Sequence, residues 1–194
     1  MNMINFVVIG YGGMGSYHTR ELMKESDGIK IVGAFDIDNT RLEEAKKNGL
    51  KVYQTLDSVL EDETIEAVLI ATPNDSHKEL AIAAMKAGKH VVCEKPVMMS
   101  TTELEEVLAV AKVEDRTFMV HQNRRWDNDF LVIRDLYNQK PIGDLFQIES
   151  RVQGANGIPG DWRHLKAHGG GMLLDWGVHL LDQVLFMVDS QLKT

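Results

Sequence analysis

The chain has 194 residues, of which 44% are hydrophobic and 26% are charged, a balance that is ordinary for a globular protein. Its formal net charge of −8 argues against a nucleic-acid partner, because no general basic surface is available for phosphate backbone. Cys93 is the only cysteine, which excludes an internal disulfide and favours a reducing, cytoplasmic location. We expect no signal peptide and no membrane span, since no apolar run has the required length or flanks.

Five short apolar runs rich in Val and Ile predict strands that are buried on both faces of a parallel sheet. These runs are residues 6–9, 31–35, 67–71, 90–93 and 117–120. Helical patterns lie between the runs, at residues 38–48, 76–87 and 100–114. Alternating strands and helices predict a doubly wound α/β domain of the Rossmann type over residues 1–123.

The pattern changes after about residue 140. Phe146, Ile148 and Val152 alternate with polar residues, which predicts a half-exposed strand of the kind found in antiparallel sheets. Residues 172–188 are strongly apolar and long enough for about five turns of helix. One strand and one helix do not make an independent domain, so we expect residues 124–194 to be an incomplete α/β domain. Either the chain is a fragment or the strand pairs outside it.

The first strand runs into a glycine-rich turn in which Gly10, Gly12 and Gly15 fit G-x-G-x-x-G. Between a strand and a helix, this motif predicts a site for the pyrophosphate of a dinucleotide at the helix N-terminus. Asp36 ends the second strand, about 20 residues further on, where a carboxylate accepts from a ribose 2′-OH and repels a 2′-phosphate. NAD is therefore expected rather than NADP. Alternatively, Asp36 is a turn residue or the cap of the helix over 38–48, and Arg41 is either near the cofactor or a solvated helix residue.

Other strands of the predicted sheet also end in polar side chains. Thr72, Pro73 and Asn74 follow the third run, and Lys95 and Pro96 follow the fourth. The carboxyl ends of parallel strands meet along one edge, where ligands of open α/β folds bind. A helix cap explains Asn74, but no turn requires Lys95, whose backbone Pro96 restricts to an extended conformation.

The last apolar segment places Asp175, His179, Asp182 and Gln183 on one helical face. Periodicity alone favours a solvent-exposed polar face. Asp175 and His179 are also spaced as a metal pair, but no cysteine cluster or HExxH-type motif accompanies them, so no metal is expected.

Aromatic and basic residues of the C-terminal region leave further alternatives. Trp126 and Trp162 are either core residues or platforms for sugar stacking, and Arg124 and Arg125 are either a surface pair or an anion clamp.

Four stretches together resemble the Gfo/Idh/MocA family of NAD(P)-dependent oxidoreductases, which act mostly on sugars, inositols and related polyols. They are GYGGMGSYH (10–18), ATPNDSHKELAIAAMKAGKHVVCEKP (71–96), HQNRRWDNDF (121–130) and GGGMLLDWGVHLLDQ (169–183). The resemblance implies an N-terminal Rossmann domain and a C-terminal α/β domain with a large, mostly antiparallel sheet. HQNRRWD and the DWR at 161–163 are similar to the scyllo-inositol dehydrogenase-like branch. Family members continue well beyond residue 194, which implies a truncated second domain here and a homo-oligomer for the full-length form.

The motifs described above and the resemblance together give expected roles for individual residues. Lys95, Asp175 and His179 would be catalytic, with His179 exchanging the substrate proton and Lys95 polarising the substrate oxygen. The residues that would border the cofactor are Gly10, Gly12, Gly13, Met14, Gly15, Asp36, Arg41, Thr72, Pro73, Asn74, His77, Glu94, Lys95 and Asn123. Those that would contact a small polyol or sugar substrate are Arg124, Arg125, Trp162 and Arg163.

Two other functions remain open at this point. The chain is alternatively a non-catalytic NAD(H)-binding or redox-sensing protein, or an NAD-dependent glycosidase, a class that lies outside the usual two-carboxylate scheme. A dehydrogenase of this kind also runs in reverse as a ketone reductase.

Overall fold

The chain divides into two units, residues up to His121 and residues from Gln122 onward. The structure is a computed structural model that describes residues 3–22, 27–154, 157 and 160–189. Within those residues no helix combines the length and apolar character needed to cross a membrane.

A six-stranded sheet forms the centre of the first unit. Its strands are β1 (Ile4–Ile9), β2 (Ile29–Phe35), β3 (Lys51–Tyr53), β4 (Ala67–Ile70), β5 (His90–Cys93) and β6 (Phe118–Val120). They lie in the order β3-β2-β1-β4-β5-β6, and every neighbouring pair is parallel. The predicted doubly wound parallel sheet is therefore confirmed. β3 was not predicted, because this short strand begins with the exposed Lys51 and forms no apolar run.

Helices connect the strands of this sheet. They are α1 (Gly13–Tyr17), which continues into a π-helical turn (His18–Leu22), α2 (Asn39–Lys47), α3 (Leu56–Leu60), α4 (His77–Lys86) and α5 (Thr101–Val113). The Asp38 side chain accepts from the N–H of Thr40 and caps α2, while Ser100 accepts from Glu103 and caps α5. The cap of α2 is thus Asp38, and Asp36 is left for another role.

Apolar side chains of the central strands pack on both faces of the sheet. In β1, Val7 and Ile9 belong to one buried cluster, whereas Phe6 and Val8 belong to another. Successive strand residues point to opposite faces, so a strand covered on both sides must be apolar throughout. Burial on both faces is therefore the reason that the strands appear in the sequence as unbroken Val and Ile runs.

The turn from β1 into α1 brings two backbone segments unusually close together. A Cβ atom on Gly15 would lie 2.0 Å from the carbonyl oxygen of Gly10. Gly10 itself has φ +92°, a conformation that side chains strongly disfavour. By contrast, a Cβ on Gly12 would meet nothing within 4 Å. The first and third glycines of the motif are therefore required by packing, and the second leaves open space beside the backbone.

Among its described residues, the second unit contains two α-helices and several short turns. They are a 3₁₀ turn (Asn123–Trp126), α6 (Asn128–Gln139), 3₁₀ turns at Trp162–His164 and Lys166–His168, a π-helical turn (Leu173–Gly177) and α7 (Val178–Met187). The predicted C-terminal helix is present, although it begins with the π-helical turn.

The strand expected around Phe146–Val152 does not form. Residues 144–154 have no helix or strand, and Phe146 is 97% exposed. A strand needs a hydrogen-bonded neighbour, and the described residues of this unit provide none. The antiparallel sheet implied for this unit is accordingly not seen.

Replacing Gly15 with Ala should destabilise the first unit by about 3 kcal/mol, because the new methyl group cannot fit against the end of β1. Gly12→Ala is the matched control, and we expect it to change the free energy of unfolding by less than about 0.5 kcal/mol. Denaturant unfolding followed by circular dichroism measures both. Equal effects of the two substitutions would contradict the packing argument.

Candidate cofactor and catalytic site

The glycine turn and Asp36 lie side by side at the carboxyl edge of the sheet, because β1 and β2 are parallel neighbours. The N–H of Tyr11 donates to Oδ2 of Asp36 at 2.7 Å, and the N–H of Asp38 donates to Oδ1 at 2.8 Å. Each carboxylate oxygen has two lone pairs, so one on each remains for further donors. Asp36 is therefore held in place with acceptor capacity left for hydroxyl groups.

The residues around the turn fit the pyrophosphate and ribose of a dinucleotide. The first N–H groups of a helix have no partner within the helix and favour an anion. A Cβ atom placed on Gly12 or Gly13, at the start of α1, would meet nothing within 4 Å, so a phosphate can approach their backbone. The turn also lies where strand order reverses, between β1 and β4, which is the usual ligand crevice of open α/β sheets.

Two further side chains lie near this edge. Arg41 is exposed, and its Nη1 is 3.3 Å from Oε2 of Glu44 on the same helix, which agrees with the alternative of a solvated helix residue. Ile37, which sequence analysis did not select, is 93% exposed beside Asp36. Its only signal in the sequence was an apolar residue directly after the acidic one.

The segment after β4 is tied together by its own hydrogen bonds. Oγ of Ser76 donates to the Pro73 carbonyl at 2.7 Å and lies 2.7 Å from Oγ1 of Thr72. Asn74 is buried and begins a 3₁₀ turn that leads into α4. Thr72, Pro73 and Asn74 are thus placed firmly at the same sheet edge as the glycine turn.

His77 is completely buried at the start of α4. Its Nε2 is 3.0 Å from the Thr72 carbonyl oxygen, and its Nδ1 is 3.0 Å from the Pro96 carbonyl oxygen. The imidazole therefore connects the segment after β4 with the segment after β5.

Glu94, the residue after β5, is 4% exposed and has both carboxylate oxygens engaged. Nε2 of His18 lies 2.6 Å from Oε1, Nδ1 of His121 lies 3.0 Å from the same oxygen, and the Lys95 N–H donates to Oε2 at 3.2 Å. Burial raises the pKa of Glu94, but the hydrogen bonds and charges of the two histidines outweigh it and bring the pKa to about 2. A buried, ionised carboxylate thus lies next to Lys95.

His18, Glu94 and His121 are also the one group of three potential metal ligands among the residues that the structure describes. Their ligand atoms lie within 4.8 Å of one another. No pattern in the sequence predicts this cluster, because the residues are far apart in the chain and show no ligand spacing. Folding brings them together by placing the helix after the glycine turn against the ends of β5 and β6.

Lys95 is half-buried between two buried neighbours, Glu94 and Pro96. The Lys95–Pro96 peptide bond is cis. Cys93, which precedes this turn in β5, is fully buried, and burial together with the Glu94 charge raises the pKa of its thiol.

In the second unit, the polar stripe of the last helix is directed away from solvent. His179 is 3% exposed, with its ring edge-on to Trp176, and Nε2 of Gln183 donates to the Arg124 carbonyl at 2.8 Å. Leu181, on the other side of α7, is exposed instead. The expectation of a solvent-exposed polar face is therefore wrong, because Asp182 and Gln183 bond to the chain segment that precedes α6.

Arg125, which is predicted to contact substrate, is held by an ion pair. Nε and Nη2 of Arg125 donate to the two carboxylate oxygens of Asp182 at 2.8 and 2.5 Å. This bidentate hydrogen bonding raises the pKa of Arg125 and joins the 3₁₀ turn at Asn123–Trp126 to α7.

Arg124 and Arg163 each lie over an indole ring. The guanidinium of Arg124 is 4.2 Å from the ring centre of Trp176, and that of Arg163 is 4.6 Å from the ring centre of Trp162. Nε of Arg163 is also 3.7 Å from Oδ1 of Asp175. Arg163 therefore contacts both Trp162 of the DWR segment and Asp175 of the D-x-x-x-H segment.

Replacing Glu94 with Gln should lower the free energy of unfolding by about 3 kcal/mol at pH 7, because the ionised carboxylate is more stable folded than unfolded. Its pKa is depressed on folding, so this contribution is present above about pH 4.5 and is lost as pH falls toward 2. The difference between wild type and Glu94→Gln should therefore narrow to about half at pH 3. Denaturant titrations at both pH values test this, and a difference independent of pH would contradict it.

Comparison with known proteins agrees with both units. The protein-family model described as "Oxidoreductase family, NAD-binding Rossmann fold" matches residues 4–122, and the model of the GFO/IDH/MocA C-terminal domain matches residues 130–194. The chain is 32% identical to scyllo-inositol 2-dehydrogenase (NADP(+)) IolW of Bacillus subtilis, over 96% of this chain and 52% of the relative.

Two solved structures are similar over nearly the whole chain. An NAD-binding protein from Listeria innocua is 61% identical with a TM-score of 0.97, covering 100% of this chain and 55% of that one. GenD2 from gentamicin A biosynthesis, solved in complex with NAD, is 27% identical with a TM-score of 0.85, covering 97% of this chain and 54% of that one. The chain thus spans about half the length of these relatives. It belongs to the Gfo/Idh/MocA oxidoreductase family and carries that family's NAD-binding Rossmann domain.

Proposed function

We propose that this protein transfers a hydride between NAD and a secondary hydroxyl of a sugar, inositol or related polyol. The observation that carries the proposal is that Lys95 follows β5 at the same sheet edge as the glycine turn and Asp36. A basic side chain held beside a dinucleotide site suits alcohol oxidation, in which negative charge develops on the substrate oxygen. The likeness to a scyllo-inositol 2-dehydrogenase supports a polyol as the substrate class.

Three side chains would carry the acid–base work. His179 would accept the hydroxyl proton, since an imidazole titrates near neutral pH. Asp175, at the preceding turn, would orient that imidazole or hold a neighbouring hydroxyl. Lys95 would place positive charge beside the developing alkoxide.

The first unit would hold the cofactor, which supplies a hydride acceptor when bound. The N-terminus of α1 would take its pyrophosphate, and Asp36 would take its adenosine ribose through the lone pairs that Tyr11 and Asp38 leave free. The charge of Asp36 disfavours a 2′-phosphate, so NAD is the proposed cofactor even though one relative is named for NADP(+).

Substrate contacts are proposed for the second unit. The Trp162 ring would offer one face to a sugar while Arg163 covers the other, and Arg124 would contact substrate from its position between Asp127 and Trp176. Arg125 is already held by Asp182, so its proposed contribution is to position α7. We also propose that the protein forms a homo-oligomer.

Lys95→Ala and His179→Ala should each reduce kcat at least 100-fold and leave NADH affinity within about threefold of wild type. NADH absorbance at 340 nm with a panel of inositols and sugars measures turnover, and NADH fluorescence measures binding. Lys112→Ala, which changes an exposed lysine of α5, serves as the control.

Other outcomes of the same assay favour the other functions. NADH binding by wild type without reduction of NAD by any polyol favours a non-catalytic NAD(H)-binding protein. Cleavage of a glycoside without net NADH favours a glycosidase. Full activity in either alanine variant contradicts the assigned roles.

Asp36→Asn should shift the ratio of NAD to NADP affinity at least tenfold toward NADP, because it removes the charge that repels a 2′-phosphate. Asp38→Asn is the matched control, since it removes a carboxylate two residues away and asparagine caps a helix equally well. Fluorescence titration with both reduced cofactors gives the ratio. A similar shift in both variants would mean that general surface charge, not Asp36, selects the cofactor.

A further inference from the structure

Lys95 lies in a turn that buried side chains hold from both sides. On one side, the Lys95 N–H donates to Oε2 of Glu94. On the other side, the carbonyl of Pro96 faces Nδ1 of the buried His77. The backbone that carries the proposed catalytic amine is thus fixed before and after that residue.

Glu94 is in turn held by two histidines from other parts of the sheet edge. His18 comes from the π-helical turn that follows α1, and His121 follows β6. Both point a ring nitrogen at the same carboxylate oxygen, at 2.6 and 3.0 Å, and their rings meet edge to face at 4.4 Å. Glu94 therefore links the helix of the glycine turn, the end of β5 and the end of β6.

The geometry of this cluster is that of direct hydrogen bonds. A tetrahedral zinc ion with bonds of about 2.1 Å keeps its ligand atoms about 3.4 Å apart. Nε2 of His18 and Oε1 of Glu94 are only 2.6 Å apart, which leaves no room for an ion between them and corresponds to a short hydrogen bond to a carboxylate. The acidic partner is ionised and accepts only, so each histidine must present an N–H to it.

We propose that His18 and His121 are positioning residues that act as N–H donors to Glu94, and that Glu94 in turn fixes Lys95 for the reaction. The inference rests on the proposed function, since it gives Lys95 its catalytic importance. It assigns the histidines no proton transfer and no metal. A buried carboxylate that loses a donor is costly, so the end of β5 would rearrange to satisfy it and would move Lys95.

The two histidines use different ring nitrogens, which allows a sharp test. The side-chain amide nitrogen of Gln reaches about as far as Nε2 of His, and that of Asn about as far as Nδ1. His18→Gln and His121→Asn therefore keep a donor in place. His18→Asn and His121→Gln place the donor at the wrong distance from the Glu94 carboxylate. Leucine at either position removes it.

We expect His18→Gln and His121→Asn to retain kcat within about threefold of wild type. We expect kcat to fall at least tenfold in His18→Asn, His121→Gln and the two leucine variants. Their NADH affinity should stay within about threefold of wild type. The modification rate of the Lys95 amine, followed by mass spectrometry with Lys112 as internal reference, should change in the same four variants and not in the two matched amides.

Several results would overturn this proposal. One is equal loss in matched amide and leucine variants, which would show that the imidazole itself is needed. Another is stoichiometric binding of Zn²⁺ in calorimetry that His18→Gln abolishes. A third is an unchanged Lys95 modification rate in the leucine variants. If wild type oxidises no polyol, the proposed function fails, and the modification rates still decide whether the cluster positions Lys95.

Discussion

Burial of both faces of a parallel sheet is the constraint on which the first unit depends. With Val7 and Ile9 packed on one side and Phe6 and Val8 on the other, residues 6–9 of β1 have no face left for polar groups. Polar side chains can therefore gather only where strands end, and the parallel arrangement brings those ends to one edge. The glycine turn, Asp36 and the residues around Lys95 share that edge for this reason.

Polar contacts connect the start of the second unit to its last helix. Arg125 and Asp182 join the first turn of the unit to α7, and Gln183 adds a bond to the backbone of Arg124. These contacts direct His179 inward and leave apolar side chains such as Leu181 exposed. The polar residues of α7 are thus bonded within the unit while Leu181 is exposed, which differs from an ordinary surface helix.

Features that depend on a local residue pattern could be predicted from the sequence. Features that depend on contacts between distant residues could not. Continuous Val and Ile runs located five strands, and the glycine spacing located the turn. The cluster around Glu94 left no trace, because His18 and His121 come from separate segments and no spacing relates them. The strand around Phe146 was predicted from alternation, which shows that a segment can pair but not that a neighbour exists. The polar stripe of α7 was misassigned because periodicity gives a face and not its direction.

The position of Cys93 makes local opening of the sheet at this edge measurable. The thiol is fully buried in β5, directly before Glu94. Its raised pKa keeps it in the unreactive protonated form. A sulfhydryl reagent can reach it only when the strand separates from its neighbours, so its labelling kinetics would report the free energy of local opening. Because Cys93 is the sole cysteine, its labelling would report local opening of β5 without a contribution from another thiol.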